Sequence, residues 1–178
     1  MMEWNVLATA NMRQERYLLR LLSRHGEFRG SGYRDVVLGR VEDANAFLET
    51  LEALRRENPK KLSPLSQIVP MERTFQFDLS DFREKLKEAI SPYVELLENK
   101  KFYVRVKRRG HKGEISSIEA EKEMDAFILE SLASAGKQAQ INFEDPDKII
   151  IVETVEDRAG VSLITREMKE KYPFIKVK

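Results

Sequence analysis

Phe102-Tyr103-Val104-Arg105-Val106-Lys107-Arg108-Arg109, followed by Gly110-His111-Lys112-Gly113, is the stretch on which the reading of this chain turns. Its strict alternation predicts a strand, with Phe102, Val104 and Val106 on one face and Tyr103, Arg105, Lys107 and Arg109 on the other. Cations on one strand face stand about 6.6 Å apart, and such a row suits a phosphate backbone, whose counterions it displaces. From Lys100 to Gly113 there are seven Lys or Arg and no acid, while Glu114 through Glu130 holds six acids against Lys122 alone. The plainer reading is a solvated sheet face, or cations paired with the acidic helix that follows.

Outward from this strand, Ser116-x-x-Glu119 reads as a capping box opening a helix with Ala120, Met124, Phe127, Ile128 and Leu132 on its core side. Lys148 to Val155 is an apolar strand buried on both faces. Asp157 to Gly160 turns the chain into a further strand, Val161 to Thr165. Arg166 to Tyr172 reads as a short helix, and Pro173 to Val177 as a last strand or a tail. Upstream, Asp81-x-x-Glu84 reads as a second capping box, and Pro92 kinks or divides the helix it starts.

Before Asp78 the pattern differs. A strand over 5–9 precedes a helix over 13–25, in which Tyr17, Leu18, Leu21 and Leu22 recur at helical spacing. Arg13, Arg16, Arg20 and Arg24 line one exposed stripe of it. Asp35 to Val41 reads as a second strand, the interval from Glu27 to Val41 is long enough for two short strands, and Asp43 caps a helix that Asn58-Pro59 ends. Pro70 places an edge strand or a break between Gln67 and Phe77. The order is βαββαβ, the ferredoxin-like pattern. The expected division is therefore an N-terminal domain over 1–77 and a second α/β domain over 78–178.

The 178 residues carry a formal net charge of +1, no cysteine and two histidines. Disulfides, thiolate metal sites and cysteine nucleophiles are thereby excluded. His25 and His111 have no ligand set around them, so no metal is expected. Gly110-x-x-Gly113 is not a P-loop, because Glu114 follows it. It resembles the GxxG loop of KH domains, but that loop joins two helices and here a strand precedes it. No secretory leader is legible, and no apolar run approaches the ~18 residues of a membrane span. A cytoplasmic protein without membrane contact is the expectation. Two alternatives stay open. One is a metal-dependent phosphoesterase using Asp145, Asp147 and Glu153. The other is a protein-interaction module that docks through the acidic helix.

Taken in order, the basic strand, the Ser116–Leu132 helix, Ile141-Asn142-Phe143-Glu144-Asp145-Pro146-Asp147 with the strand after it, and Arg158-Ala159-Gly160-Val161-Ser162-Leu163-Ile164 resemble a THUMP domain. The resemblance covers roughly 78–178, and the preceding segment resembles the ferredoxin-like domain that commonly accompanies it. One departure is Ile141-Asn142-Phe143, where the family often has Val-Asp-Leu. The resemblance implies binding of the acceptor end of tRNA. THUMP domains usually precede a catalytic domain for methylation, thiolation or pseudouridine formation. A chain ending after this region resembles the stand-alone adaptors that present tRNA to a separate RNA cytidine acetyltransferase. The expectation is thus a non-catalytic tRNA-binding protein, with tRNA and a modifying enzyme as partners and no cofactor. Its candidate RNA-binding residues are Arg105, Lys107, Arg108, Arg109, His111 and Lys112, with Arg158 and Arg166.

Overall fold

The computed structural model describes residues 3–178. They form two compact units. The first runs as far as Met71 and includes Met168–Lys176; the second comprises Glu72–Glu167 with Val177–Lys178.

In the first unit β1 (Val6–Ala10), α1 (Glu15–Leu22), β2 (Glu27–Gly30), β3 (Val36–Arg40), α2 (Ala44–Glu57) and β4 (Leu65–Pro70) follow one another, with a 3₁₀ turn at Pro59–Leu62. The sheet order is β2-β3-β1-β4, every neighbour antiparallel, which is the βαββαβ arrangement expected from the sequence. The Asp43 carboxylate accepts the Ala46 N–H at 3.1 Å and caps α2. Val6, Leu7, Ala8, Leu18, Leu22, Phe47, Leu51 and Ile68 are among the buried side chains. Gly39 faces Phe28 across β2 and β3, and the Phe28 ring fills the space that a Cβ at residue 39 would need. The first helix is shorter than the 13–25 expected. Arg13 adopts a left-handed backbone (φ 63°), which delays the helix start until Glu15. Tyr17 is exposed rather than part of the core.

In the second unit β5 (Arg73–Gln76) precedes α3 (Phe82–Ile90), a 3₁₀ segment Ser91–Leu97, β6 (Lys101–Lys107), α4 (Ser117–Ser134), β7 (Gln140–Ile141), β8 (Lys148–Val155) and β9 (Arg158–Thr165). A short α5 (Arg166–Lys171) follows, of which the residues from Met168 on belong to the first unit. The sheet order is β5-β9-β8-β6-β7, with β6 parallel to both β7 and β8 and the other pairs antiparallel. Pro92 ends α3 and turns the remainder into 3₁₀. Phe82, Leu86, Ile90, Leu97, Val104, Met124, Ile128, Ile150 and Val161 meet in one apolar core. Seven of the eight residues of β8 are buried, as its unbroken apolar run requires. Pro70 ends β4, and β5 joins the other sheet, so the break expected there separates two strands of different sheets. The segment 173–177 is not a strand.

Two capping boxes are expected in this unit; the N-cap half of one forms. Ser116 Oγ accepts the Glu119 N–H at 3.2 Å. Asp81 caps no N–H of α3; its carboxylate accepts instead from the Asp78 N–H at 2.8 Å and pairs with Lys85 at 3.2 Å.

Candidate nucleic-acid interface

Strand β6 carries the candidate residues towards one end of the second unit. β7 pairs only with Lys101 and Phe102, so the outer edge of β6 beyond that point has no strand neighbour. Helix α4 fills this role with side chains. Asp125 Oδ1 accepts the Val104 N–H at 3.1 Å, and Glu121 Oε2 accepts the Val106 N–H at 2.8 Å. The two acids are four residues apart and share one helix face. Burial pushes the Asp125 carboxyl up to about 6, against the pull of the Val104 N–H. Part of the acidic run that follows the basic strand thus completes the sheet edge and does not form a separate docking face.

The same helix compensates part of the basic row. Arg105 Nη1 lies 3.5 Å from Glu121, its Nε donates to the Lys178 carbonyl at 3.0 Å, and its guanidinium stands 5.2 Å from the Tyr103 ring centroid. Arg109 has left the strand, and its guanidinium is bound to the carboxylate of Glu153. Glu153 is fully buried, and burial raises its affinity for a proton while Arg109 and Lys107 oppose that shift. The expected unpaired row Arg105–Lys107–Arg109 is therefore not formed. Two of its three members have carboxylate partners because the sheet and α4 supply acids at their positions.

The remaining candidates divide in the same way. Arg166 pairs with Asp145 at 2.7 Å and with Asp147 at 3.3 Å, at the opposite end of β6, beside Lys101. His111 Nε2 is 2.8 Å from Asp157 Oδ1 and its ring lies 5.8 Å from that of Phe77. It fastens its loop to the β8–β9 turn, where Glu156 N–H also donates to the Arg109 carbonyl. Gly110 (φ 95°) and Gly113 (φ 81°) frame the loop with left-handed backbone that suits glycine. Arg108 donates to the Gly110 carbonyl at 2.5 Å. Lys107, Arg108, Lys112 and Arg158 have no carboxylate partner among the described residues. Arg158 opens β9 beside Gln76 and Val155, and its buried Nε has no hydrogen-bond partner there. These four residues belong to β6, its following loop and the start of β9, the segments tied together by the His111–Asp157 and Arg109–Glu156 bonds.

The carboxylates of the phosphoesterase alternative are spoken for. Asp145 and Asp147 hold Arg166, whose charge keeps the Asp145 carboxyl below the usual range, and Glu153 holds Arg109. Among the described residues no group of three or more His, Cys, Asp or Glu is placed to hold a metal ion. No helix among them is long and apolar enough to cross a membrane. The inward position of Glu153 and the edge-capping role of Glu121 and Asp125 were not read from the sequence. The one available signal was the isolated acid in the run Ile149-Ile150-Ile151-Val152-Glu153, since a charge inside a doubly buried strand needs a partner.

Comparison with known proteins places this unit. The THUMP domain model matches residues 77–164. The tRNA sulfurtransferases of Salmonella arizonae and Salmonella newport are each 34% identical over 119 residues, which is 67% of this chain and 22% of theirs. The chain spans about a fifth of the length of the curated relatives it matches. Among solved structures, PH1313 from Pyrococcus horikoshii superposes with a TM-score of 0.63 at 13% identity, covering 92% of this chain and 55% of that one. TrmN from Thermus thermophilus gives 0.63 at 14% identity, with 90% and 45% covered. A 4-thiouridine synthetase in complex with RNA and ATP gives 0.57 at 12% identity, with 91% and 41% covered. At such identities these structures speak for the fold. The family match spans the core from β6 through α4 and β8 to β9, and over residues 77–164 this chain is a THUMP domain.

Proposed function

We propose that this protein binds tRNA and holds it for a modification reaction. The observation that carries this reading is the THUMP domain over residues 77–164, in a chain that shares 34% identity over 119 residues with a tRNA sulfurtransferase. Of the candidate cations in that domain, Lys107, Arg108, Lys112 and Arg158 are those without a carboxylate within 4.0 Å among the described residues and are offered to phosphate oxygens, and the glycines of the 110–113 loop let a backbone approach closely. The acceptor end is the part of tRNA that the family resemblance assigns to it. In this reading the reaction is carried out by a separate enzyme, an RNA cytidine acetyltransferase.

A second reading is favoured by the sulfurtransferase relatives: the modification served is thiolation. Nucleoside analysis of bulk tRNA from cells lacking the gene separates the two. Loss of acetylcytidine supports the first reading, and loss of thiouridine supports the second. An unchanged nucleoside profile contradicts a role in either.

A further inference from the structure

The near-zero charge of the chain conceals two units of opposite sign. The first contains fourteen Lys or Arg against ten Asp or Glu, and the second contains seventeen against twenty. The THUMP unit is thus net acidic, and several of its cations are already paired: Arg83 with Glu123, Arg105 with Glu121, Arg109 with Glu153 and Arg166 with Asp145. Long-range attraction of a polyanion has to come from the other unit.

In that unit four cations without an ion pair among the described residues lie on α1 and in the turns that flank it. Arg16 and Arg20 lie one turn apart on the helix, Arg24 stands one turn further in the segment after it, and Arg13 in the turn before it. All four are exposed, and Arg16 and Arg20 lie on the helix face away from the buried Leu18 and Leu22. None has a carboxylate within 4.0 Å among the described residues. The one acid of α1, Glu15, extends towards Gly30 of β2. Tyr17 stands between these arginines with half of its surface exposed, the Arg16 guanidinium 6.0 Å from its ring centroid. Like charges one turn apart repel, and among the described residues no carboxylate within 4.0 Å offsets that repulsion. An anion with regularly spaced charges would offset it. The helical step from Arg16 to Arg20 is about 6 Å, close to the separation of neighbouring phosphates on one RNA strand.

We propose that Arg16 and Arg20 of α1, with Arg13 and Arg24 in the turns that flank it and with Tyr17, form a docking surface for the phosphate backbone of RNA, distinct from the cations at the end of β6. The proposal rests on the tRNA-binding reading and assigns most of the electrostatic affinity to the first unit. Guanidinium groups match phosphate oxygens in pairs, and an exposed tyrosine ring adds a sugar or base contact without sequence selection.

Fluorescence anisotropy with labelled unfractionated tRNA, at several KCl concentrations, tests it. Replacing Arg16, Arg20 and Arg24 together by Glu should weaken binding by about tenfold or more and flatten the dependence of log K on log salt by about three units. The triple Lys variant should keep most of the slope. If the Glu variant fails to fold, as judged by its thermal midpoint, the triple Ala variant should show the same loss of slope. Wild-type affinity and slope in a folded triple variant would overturn the proposal. So would a variant that keeps tRNA but loses a poly-glutamate probe, which would mark the stripe as a site for acidic protein. A wild-type protein that binds no tRNA would overturn the tRNA-binding reading as well, so the two failures are distinguishable.

Discussion

The Arg109 guanidinium and the Glu153 carboxylate form an ion pair inside the second unit, with Glu153 fully buried in β8 and Arg109 just beyond the end of β6. The strand partners of Glu153 are Lys107 and Gly160, so a second cation flanks the pair and a glycine leaves room on the other side. The Thr154 hydroxyl accepts the Arg109 N–H at 3.0 Å and fixes the chain at the same point. An arginine that looks available for a ligand in the sequence is thereby committed to the fold.

Removing one partner should therefore cost more than removing both. Arg109→Ala leaves a buried carboxylate without its cation and should destabilise the protein by about 3–5 kcal/mol. Adding Glu153→Gln to that variant should recover a large part of the loss. Urea unfolding of the two single variants and the double variant checks this, and additive losses would remove the coupling from the account.

The Asp125 carboxyl, held up at about 6, sets a pH dependence with a definite sign. Its folded value lies above its unfolded one. Its contribution to stability is therefore fully present below about pH 4 and is lost as pH rises through about 6. Asp125→Asn keeps an oxygen for the Val104 N–H and removes the charge. This variant should lack the decline between about pH 4 and pH 7 that the wild type shows. Thermal midpoints across that range, with the carboxyl titrated by NMR, provide the check.

The two helix starts of the second unit should respond differently to capping mutations. Ser116→Ala removes a real cap and should cost about 1 kcal/mol. Asp81→Ala removes no cap of α3 and should cost less, since its main contacts are the exposed Asp78 N–H and Lys85. Equal losses in chemical denaturation would contradict the difference in geometry.

Within the THUMP domain the unpaired cations should matter more for RNA than the paired ones. Lys107→Ala with Lys112→Ala should weaken tRNA binding about equally for different tRNAs, because phosphate contacts carry little sequence information. Arg105→Ala should have the smaller effect, since Glu121 and the Lys178 carbonyl already engage that side chain. Competition assays with two unrelated tRNAs measure both effects.

Periodicity and punctuation carry most of the fold. The apolar run of β8, Asp43 and Ser116 as caps and Pro92 as a breaker each act through neighbours a few residues away and stand where the sequence puts them, while β6 forms but ends at Lys107, short of Arg109. Pro70 is legible as a break, but not that β5 pairs with β9, because that pairing spans some eighty-five residues. The charge pattern is legible as a total and not as a surface. Glu121 neutralises Arg105 from a helix sixteen residues on, and Glu153 reaches Arg109 from a parallel strand forty-four residues away. Local sequence cannot rank those partners against solvent. Arg16 and Arg20 are the opposite case: their spacing is local, so it is visible in the sequence and survives folding, while Arg13 and Arg24 of the expected stripe fall outside the helix.

The most direct test of the account is the affinity of the purified protein for unfractionated tRNA between 50 and 200 mM KCl. Binding that weakens by at least about tenfold over this range is the predicted result, as counterion release requires for several phosphate contacts. Affinity that is undetectable at low salt, or that stays level across the series, would contradict it.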